Sequence, residues 1–198
     1  TLDGDTLTFN EAQKFCKLQT LACGFVYDSA GISHRGAVST KLEAVADFCA
    51  QCAGEGERVL LFYAYRDEAL WLSEMLKARG LRYCSPSDRA FLSKWNDGDI
   101  DVLLEHPASA GHGLNLQAGG RICVWSSVTY NYEYWGQANA RLARQGQTRG
   151  VQIHTFASAD TVDLMQARAL HAKENQDKAF VNATKVGAEH ALQQSLFI

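Results

Sequence analysis

The sequence predicts an α/β fold in which a parallel sheet carries helices on both faces. Three observations support this. Short, continuously apolar runs of strand length recur along the chain. Helix-length segments separate them at short spacing, and the apolar share is large enough for one sizeable core. Strands without polar alternation are buried on both sides, which requires a helical layer above and below them. The chain has 198 residues, 46% hydrophobic and 21% charged, with two prolines and a formal net charge of -3. That composition excludes a disordered chain. No run of about 18 apolar residues exists to span a membrane, and residues 1–10 lack the basic-then-apolar order of a secretory signal. The mildly acidic balance argues against bulk electrostatic capture of nucleic acid and leaves room for a local basic patch.

Taken in order, the elements begin with a helical entry segment over about residues 10–22. A helix over 41–52 follows, with Leu42, Val45, Ala46, Cys49 and Ala53 on one apolar stripe, and Gly54-Glu55-Gly56-Glu57 breaks it. The run Arg58-Val-Leu-Leu-Phe-Tyr-Ala-Tyr65 suits a buried strand. The spacing of Ala69, Leu72, Met75 and Leu76 predicts a helix over 67–79, ended by Gly80. Residues 81–84 form a short strand, and 85–96 a helix capped by Ser85 or Ser87. Further buried strands are expected at 101–106, 121–126 and 151–156, with a helix over 132–145 between the last two. From 160 onward the chain is polar and helix-prone, with Asp160 or Thr161 as its cap. The expected division is a helical entry segment (1–40), the sheet domain (41–172) and a helical tail (173–198).

Six cysteines are scattered along the chain, with one Cys-x-x-Cys at 49 and 52. A structural zinc site needs a second closely spaced ligand pair, which is missing, so no metal is expected. Cys49 instead completes an apolar helix stripe, as a small buried hydrophobe. Unpaired cysteines of this kind fit a reducing, cytoplasmic compartment.

Two stretches that follow strands carry the functional signal, since sites in such sheets form where loops leave the carboxyl ends of strands. In His106-Pro-Ala-Ser-Ala-Gly-His-Gly-Leu-Asn-Leu-Gln117, small residues at 108–111 and Gly113 let backbone amides approach a ligand. A helix starting within 114–118 would add an anion-binding terminus. The alternative is a tight turn in which Gly111 and Gly113 only satisfy positive φ. No Gly-Lys-Ser/Thr phosphate loop and no Gly-x-Ser-x-Gly elbow exists in the chain. In the second stretch, Gln137, Arg141 and Arg144 fall at i, i+4 and i+7, one face of the expected helix. Between 120 and 159 the basic residues are Arg121, Arg141, Arg144 and Arg149, against Glu133 alone. Arginines without acidic partners suit an anionic ligand, because guanidinium gives fixed-fork, always-charged contacts to phosphate oxygens. A solvated basic face is the plainer alternative.

Together these stretches resemble the C-terminal helicase lobe of superfamily 2, specifically Swi/Snf-type ATPases and their phage relatives. Ser109-Ala-Gly-His-Gly-Leu-Asn-Leu-Gln117 resembles motif V of that family (Ala-Gly-Gly-x-Gly-Leu-Asn-Leu-Thr). Gln137-Ala-Asn-Ala-Arg-Leu-Ala-Arg-Gln-Gly-Gln147 resembles motif VI (Gln-Ala-x-Gly-Arg-x-x-Arg-x-Gly-Gln). Tyr130-Asn131 stands where Trp-Asn is usual, and 59–65 is similar to motif IV, with Phe62 at its aromatic position. The resemblance covers about residues 41–172, in the family's order and spacing. It departs at Ala110, at Ala140 in place of the motif VI glycine, and at Tyr130.

The resemblance implies a RecA-like sheet, a P-loop NTPase-type second lobe without its own P-loop. Arg141 and Arg144 would reach the γ-phosphate of ATP across a cleft, with Gln137 organising that interface. Gly113 and its loop would couple nucleotide state to DNA. Ser109, Ala110, Gly111 and His112 would lie near a strand backbone, and Tyr63 is a candidate for stacking on bases, as are Tyr65, Tyr130 and Trp135, for which packing is the plainer reading. ATP with Mg²⁺ would be held mainly by a first lobe, the expected partner together with double-stranded DNA. No membrane is expected, and the implied setting is bacterial or phage-infected host cytoplasm. The chain begins at Thr1 and has no phosphate loop, which suggests about half of an enzyme. Two other readings compete: a lobe retained only to bind DNA or protein, and a stand-alone hydrolase using Ser109 with His106 or His112.

Overall fold

The computed structural model describes residues 11–36, 39–112 and 114–176. Their elements are α1 (Glu11–Ala22), β1 (Phe25–Tyr27), β2 (Ser33–Arg35), α2 (Thr40–Gly54), β3 (Val59–Phe62), α3 (Arg66–Ala78), β4 (Tyr83–Cys84), α4 (Phe91–Asp97), β5 (Val102–Glu105), a 3₁₀ turn (Pro107–His112), β6 (Ile122–Trp125), α5 (Tyr132–Asn139) and β7 (Gln152–Thr155). A last helix, α6, covers 162–176 of the described chain.

Five strands form one sheet in the order β4-β5-β3-β6-β7, and every neighbouring pair is parallel. The central strands β3, β5 and β6 are buried at every position, as apolar runs without alternation require. Successive side chains point to opposite faces, so each strand feeds two cores. Val59, Leu61, Val102, Leu104, Ile122 and Val124 pack with Leu42, Val45, Cys49, Leu72 and Leu76 of α2 and α3. Leu60, Phe62, Leu103, Cys123 and Trp125 pack with Trp95 of α4 and with Trp135 and Ala138 of α5. The predicted architecture, a parallel sheet with helices on both faces, is what is observed. Cys49 sits in the first core, and burial pushes its thiol up to about 12.

Several elements differ from the sequence expectation. The entry segment also contains an antiparallel hairpin, β1–β2, whose turn is closed by Asp28 accepting from the Ala30 and Ile32 amides. Three-residue strands carry too short a pattern to be read. The strand expected over 58–65 stops at Phe62, because the amides of Ala64 and Tyr65 turn to the Glu68 carboxylate at the start of α3. Ser85 and Ser87 bond each other instead of capping, and α4 begins only at Phe91. No helix starts within 114–118.

The arginine helix is shorter than expected. Asn131 caps α5 by accepting from the Glu133 and Tyr134 amides, but the helix ends at Asn139 rather than near 145. The Asn139 side chain is buried, with Oδ1 accepting from the Trp125 indole at 2.9 Å. Beyond it the chain tightens into turns, with Arg141 N bonded to Ala138 O and Arg144 N to Leu142 O. Arg141 and Arg144 therefore do not share one helix face with Gln137.

Candidate functional site

The site opens at the carboxyl ends of β3 and β5 and runs, through the exit of the glycine loop, toward the amino end of β6. β5 ends at Glu105, and His106 leads into the 3₁₀ turn that opens the glycine loop. The Ser109 amide and hydroxyl both donate to the His106 carbonyl, at 3.0 and 2.7 Å, which closes this turn locally. The His106 ring accepts from the Ala108 amide through Nδ1 and lies edge-on to Tyr63, with ring centroids 5.6 Å apart. Ser109 is thus bonded to a carbonyl rather than to the His106 imidazole, so these two residues do not form the Ser–His pair that the hydrolase reading needs. Gly113 lies outside the described residues, and positions 110–112 (Ala110, Gly111 and His112) are described as backbone only.

The exit of the glycine loop and the turns after α5 are stitched together. Leu116 N donates to Arg141 O at 3.2 Å. Gln117 Nε2 donates to Gln145 O, while Gln147 Nε2 donates to the carbonyls of Gln117 and Gly120. Gly146 is left-handed, with φ +98°, and a Cβ there would meet Gln117 Nε2 at 2.7 Å. The Gly-Gln pair that ends the arginine run is thereby explained: glycine admits the turn, and Gln147 pins it to the loop. The two stretches singled out in the sequence are one structural unit.

The arginines are placed differently from one another. Arg141 is 2% exposed, and its Nη1 donates to Glu105 Oε1 at 2.6 Å. Its Nε and Nη2, together with Glu105 Oε2, are buried without hydrogen-bond partners. Burial pushes the Glu105 carboxyl up to about 7, against the pull of Arg141. Arg144 is exposed in the following turn. Gln137 is exposed on α5, where it donates to Glu133 Oε1 at 2.9 Å. The expectation that these arginines lack acidic partners is corrected for Arg121, Arg141 and Arg149, whose partners come from distant parts of the chain. Glu105 pairs with Arg141, and Glu57, at the opposite end of the sheet, accepts from both Arg121 and Arg149. Sequence separations of 36, 64 and 92 residues hide such pairs from any local pattern.

Of the aromatic candidates, Tyr63 is half-buried beside His106. Trp135 is core, packed on Trp125 with centroids 4.6 Å apart. Tyr65 donates its hydroxyl to Gln19, and Tyr130 is 50% exposed, edge-on to Phe15. Glu105, Gln117 and Gln147 escaped the sequence reading as site-building residues, although the last two end the quoted motifs. Among the described residues, no three His, Cys, Asp or Glu side chains converge to hold a metal ion. The cationic groups fit phosphate oxygens, while the side chains here offer no ligand set for Mg²⁺.

No family model matches the chain. Over 181 residues it is 30% identical to the putative protein p41 of Acyrthosiphon pisum secondary endosymbiont phage 1, covering 89% of this chain and 38% of that protein. It is 27% identical over 157 residues to the helicase swr1 of Schizosaccharomyces pombe, covering 75% of this chain and 12% of the helicase. The fold matches the crystal structure of the C-terminal part of the Fun30 ATPase domain with a TM-score of 0.59 and 20% identity, over 65% of this chain and 44% of that one. The chain is distantly similar to Swi/Snf-type helicases, and it spans less than half the length of each of these relatives.

Proposed function

From that distant similarity we propose that the chain acts as the C-terminal lobe of a DNA-dependent ATPase, a helicase-like translocase, and that it offers cationic groups to ATP held on a separate first lobe. The single observation that most supports this reading is the union of the glycine loop's exit with the arginine turn, through the Leu116–Arg141 backbone bond. A loop that follows DNA and a turn that faces ATP need mechanical connection if nucleotide state is to move DNA. This bond and the Gln117 and Gln147 contacts supply one.

In this reading the turn bearing Arg141 and Arg144 faces the γ-phosphate, and Gln137 lines the same interface. Mg²⁺-ATP, when bound, supplies a phosphoryl group whose oxygens gather charge in the transition state, and guanidinium stabilises that charge. Gly113 and the loop residues Ser109, Ala110, Gly111 and His112 approach the DNA backbone through amides and small side chains, with Tyr63 at their base. Contacts of that kind are largely independent of sequence. No Gly-Lys-Ser/Thr run exists in the chain to cradle the β- and γ-phosphates. The expected outcome is that this chain alone hydrolyses ATP negligibly, whereas the two-lobe protein is stimulated by duplex DNA. Phosphate release by both, with and without DNA, is the test. Appreciable turnover by this chain alone would sink the proposal.

A further inference from the structure

We infer that the cleft where β3, β6 and β7 begin is an oxyanion site, which takes a phosphate or diphosphate group between Arg58 and Arg149 with Glu57 as a built-in counter-ion beside it. The cleft lies at the amino edge of the sheet, away from the residues assigned above to ATP and DNA. It rests on geometry within this chain and not on the ATPase reading.

Three observations support the site. The first is charge. The cleft has a volume of 260 Å³ and is lined by Arg58, Arg121 and Arg149 against a single acidic residue, Glu57. Positive charge is thus left over in a hollow of a chain whose net charge is -3, and such a hollow gathers anions. The second is the supply of donors. Arg121 is committed, with Nε and Nη2 on Glu57 Oε1 at 3.1 and 3.0 Å and Nη1 on Gly150 O at 3.3 Å. Arg58 and Arg149 are not. Among the described residues, Arg58 spends only Nη1, on the carbonyls of Trp95 and Asn96, and Arg149 only Nη2, on Glu57 Oε1. A guanidinium carries five N–H donors in a fixed fork, so each of the two keeps a donor edge for a ligand. The third is placement. Arg58 is held to Trp95 O at 2.6 Å, and the Arg149 amide donates to Gln147 Oε1 at 3.1 Å. Gln147 is in turn pinned to the Gln117 and Gly120 carbonyls, so the backbone that carries Arg149 is already ordered. The adjacent Gly119 and Gly120 add nothing to this case, since a Cβ on either would strike the Trp95 indole, at 2.1 and 2.9 Å. Size narrows the ligand: 260 Å³ falls below the about 300–1,000 Å³ of small-molecule pockets, which favours a phosphoryl group over a whole nucleotide. Glu57 shares two of the three arginines with that group and repels it, so the carboxylate weakens binding.

Calorimetric titration of the 198-residue chain with pyrophosphate, at an ionic strength held constant with chloride, tests this. Wild type should bind saturably with a Kd of about 1 mM or below. Arg149→Gln and Arg58→Gln should each weaken binding about fivefold or more, and Arg149→Lys, which keeps the charge, should weaken it less than Arg149→Gln. Glu57→Gln should tighten it about threefold or more, by removing a like charge. Circular dichroism checks that each variant is folded, and Arg149, exposed on its turn, is the position where substitution disturbs the fold least. No saturable binding by wild type or Glu57→Gln overturns the site. So does undiminished binding by Arg149→Gln, and so does weaker binding by folded Glu57→Gln. Fluorescence anisotropy with a short DNA duplex separates the two sources of the phosphate. DNA affinity within about twofold of wild type in Arg149→Gln, with no competition from pyrophosphate, assigns the site to a free anion. Parallel loss of DNA and pyrophosphate binding keeps the site and assigns its phosphate to the DNA backbone.

Discussion

Glu57 accepts from Arg121 and Arg149 at the end of the sheet where β3 and β6 begin. Burial raises its carboxyl pKa, but the two guanidinium groups overcome that and hold it below the ordinary 4.5. A carboxyl depressed in the folded state contributes stability above its unfolded pKa, and the contribution fades as pH falls through the folded value. Glu57→Gln should therefore cost about 1–2 kcal/mol near neutral pH, the partly exposed partners limiting the loss. Below about pH 4 that cost should shrink, because protonated glutamate and glutamine are then nearly alike. Urea titrations at pH 7 and pH 3.5 check this. A difference that stays constant with pH would show that Glu57 acts through packing instead.

At the scale of elements, α5 shows how local and distant forces set the two ends of one helix. Its start is local: Asn131 Oδ1 accepts from the Glu133 and Tyr134 amides at 2.9 and 3.3 Å. Its end is tertiary: Asn139 is drawn into the core by the Trp125 indole, and the chain then tightens into the turn that Gln117 and Gln147 hold. Asn131→Ala should destabilise the chain by about 1 kcal/mol, whereas Asn131→Asp, which keeps the capping oxygen, should cost much less. Chemical denaturation of the two variants distinguishes a cap from a general polar surface effect. Equal losses in both would count against capping. The asymmetry also explains why periodicity overran the helix: Leu142 and Ala143 continue an apolar pattern, and nothing local announces that Asn139 is needed elsewhere.

At the scale of the molecule, a buried polar network fastens α1 and α6 to the sheet. Lys41 Nζ donates to Asp163 Oδ2 at 2.6 Å and lies within 3.2 Å of Ser127 Oγ, while Glu68 Oε1 accepts from both Ser126 and Ser127. Gln19 of α1 bonds Gln166 of α6, and both donate to Val128 O beyond β6. Burial works against the Lys41 ammonium, but the nearby Cys23, Glu68 and Asp163 overcome it and hold its pKa above the ordinary 10.5. Lys41→Met would strand Asp163 without its counter-charge, so a loss of about 3–5 kcal/mol is expected. The double variant Lys41→Met/Asp163→Leu should recover part of it. Equilibrium unfolding gives both values, and a single-variant loss under about 1 kcal/mol would mean that the network does not hold the flanks.

These three scales separate what was legible from what was not. The sheet and its two helical layers followed from the sequence, since unbroken runs such as Val59 to Phe62 admit little except a strand covered on both sides. The two functional stretches were also visible, because glycine, arginine and glutamine spacing is a local property. The partners Glu105 and Glu57, the early end of α5 and the hairpin over 25–35 were not visible. Each depends on which distant groups meet, and that is settled by burial and register rather than by neighbours in the chain. The sequence by itself therefore determined the layers and located the glycine loop and the arginine run. Only the tertiary structure decided that Arg141 is spent on a buried carboxylate while Arg144 stands exposed, because a strand 36 residues earlier delivers Glu105 beneath that turn.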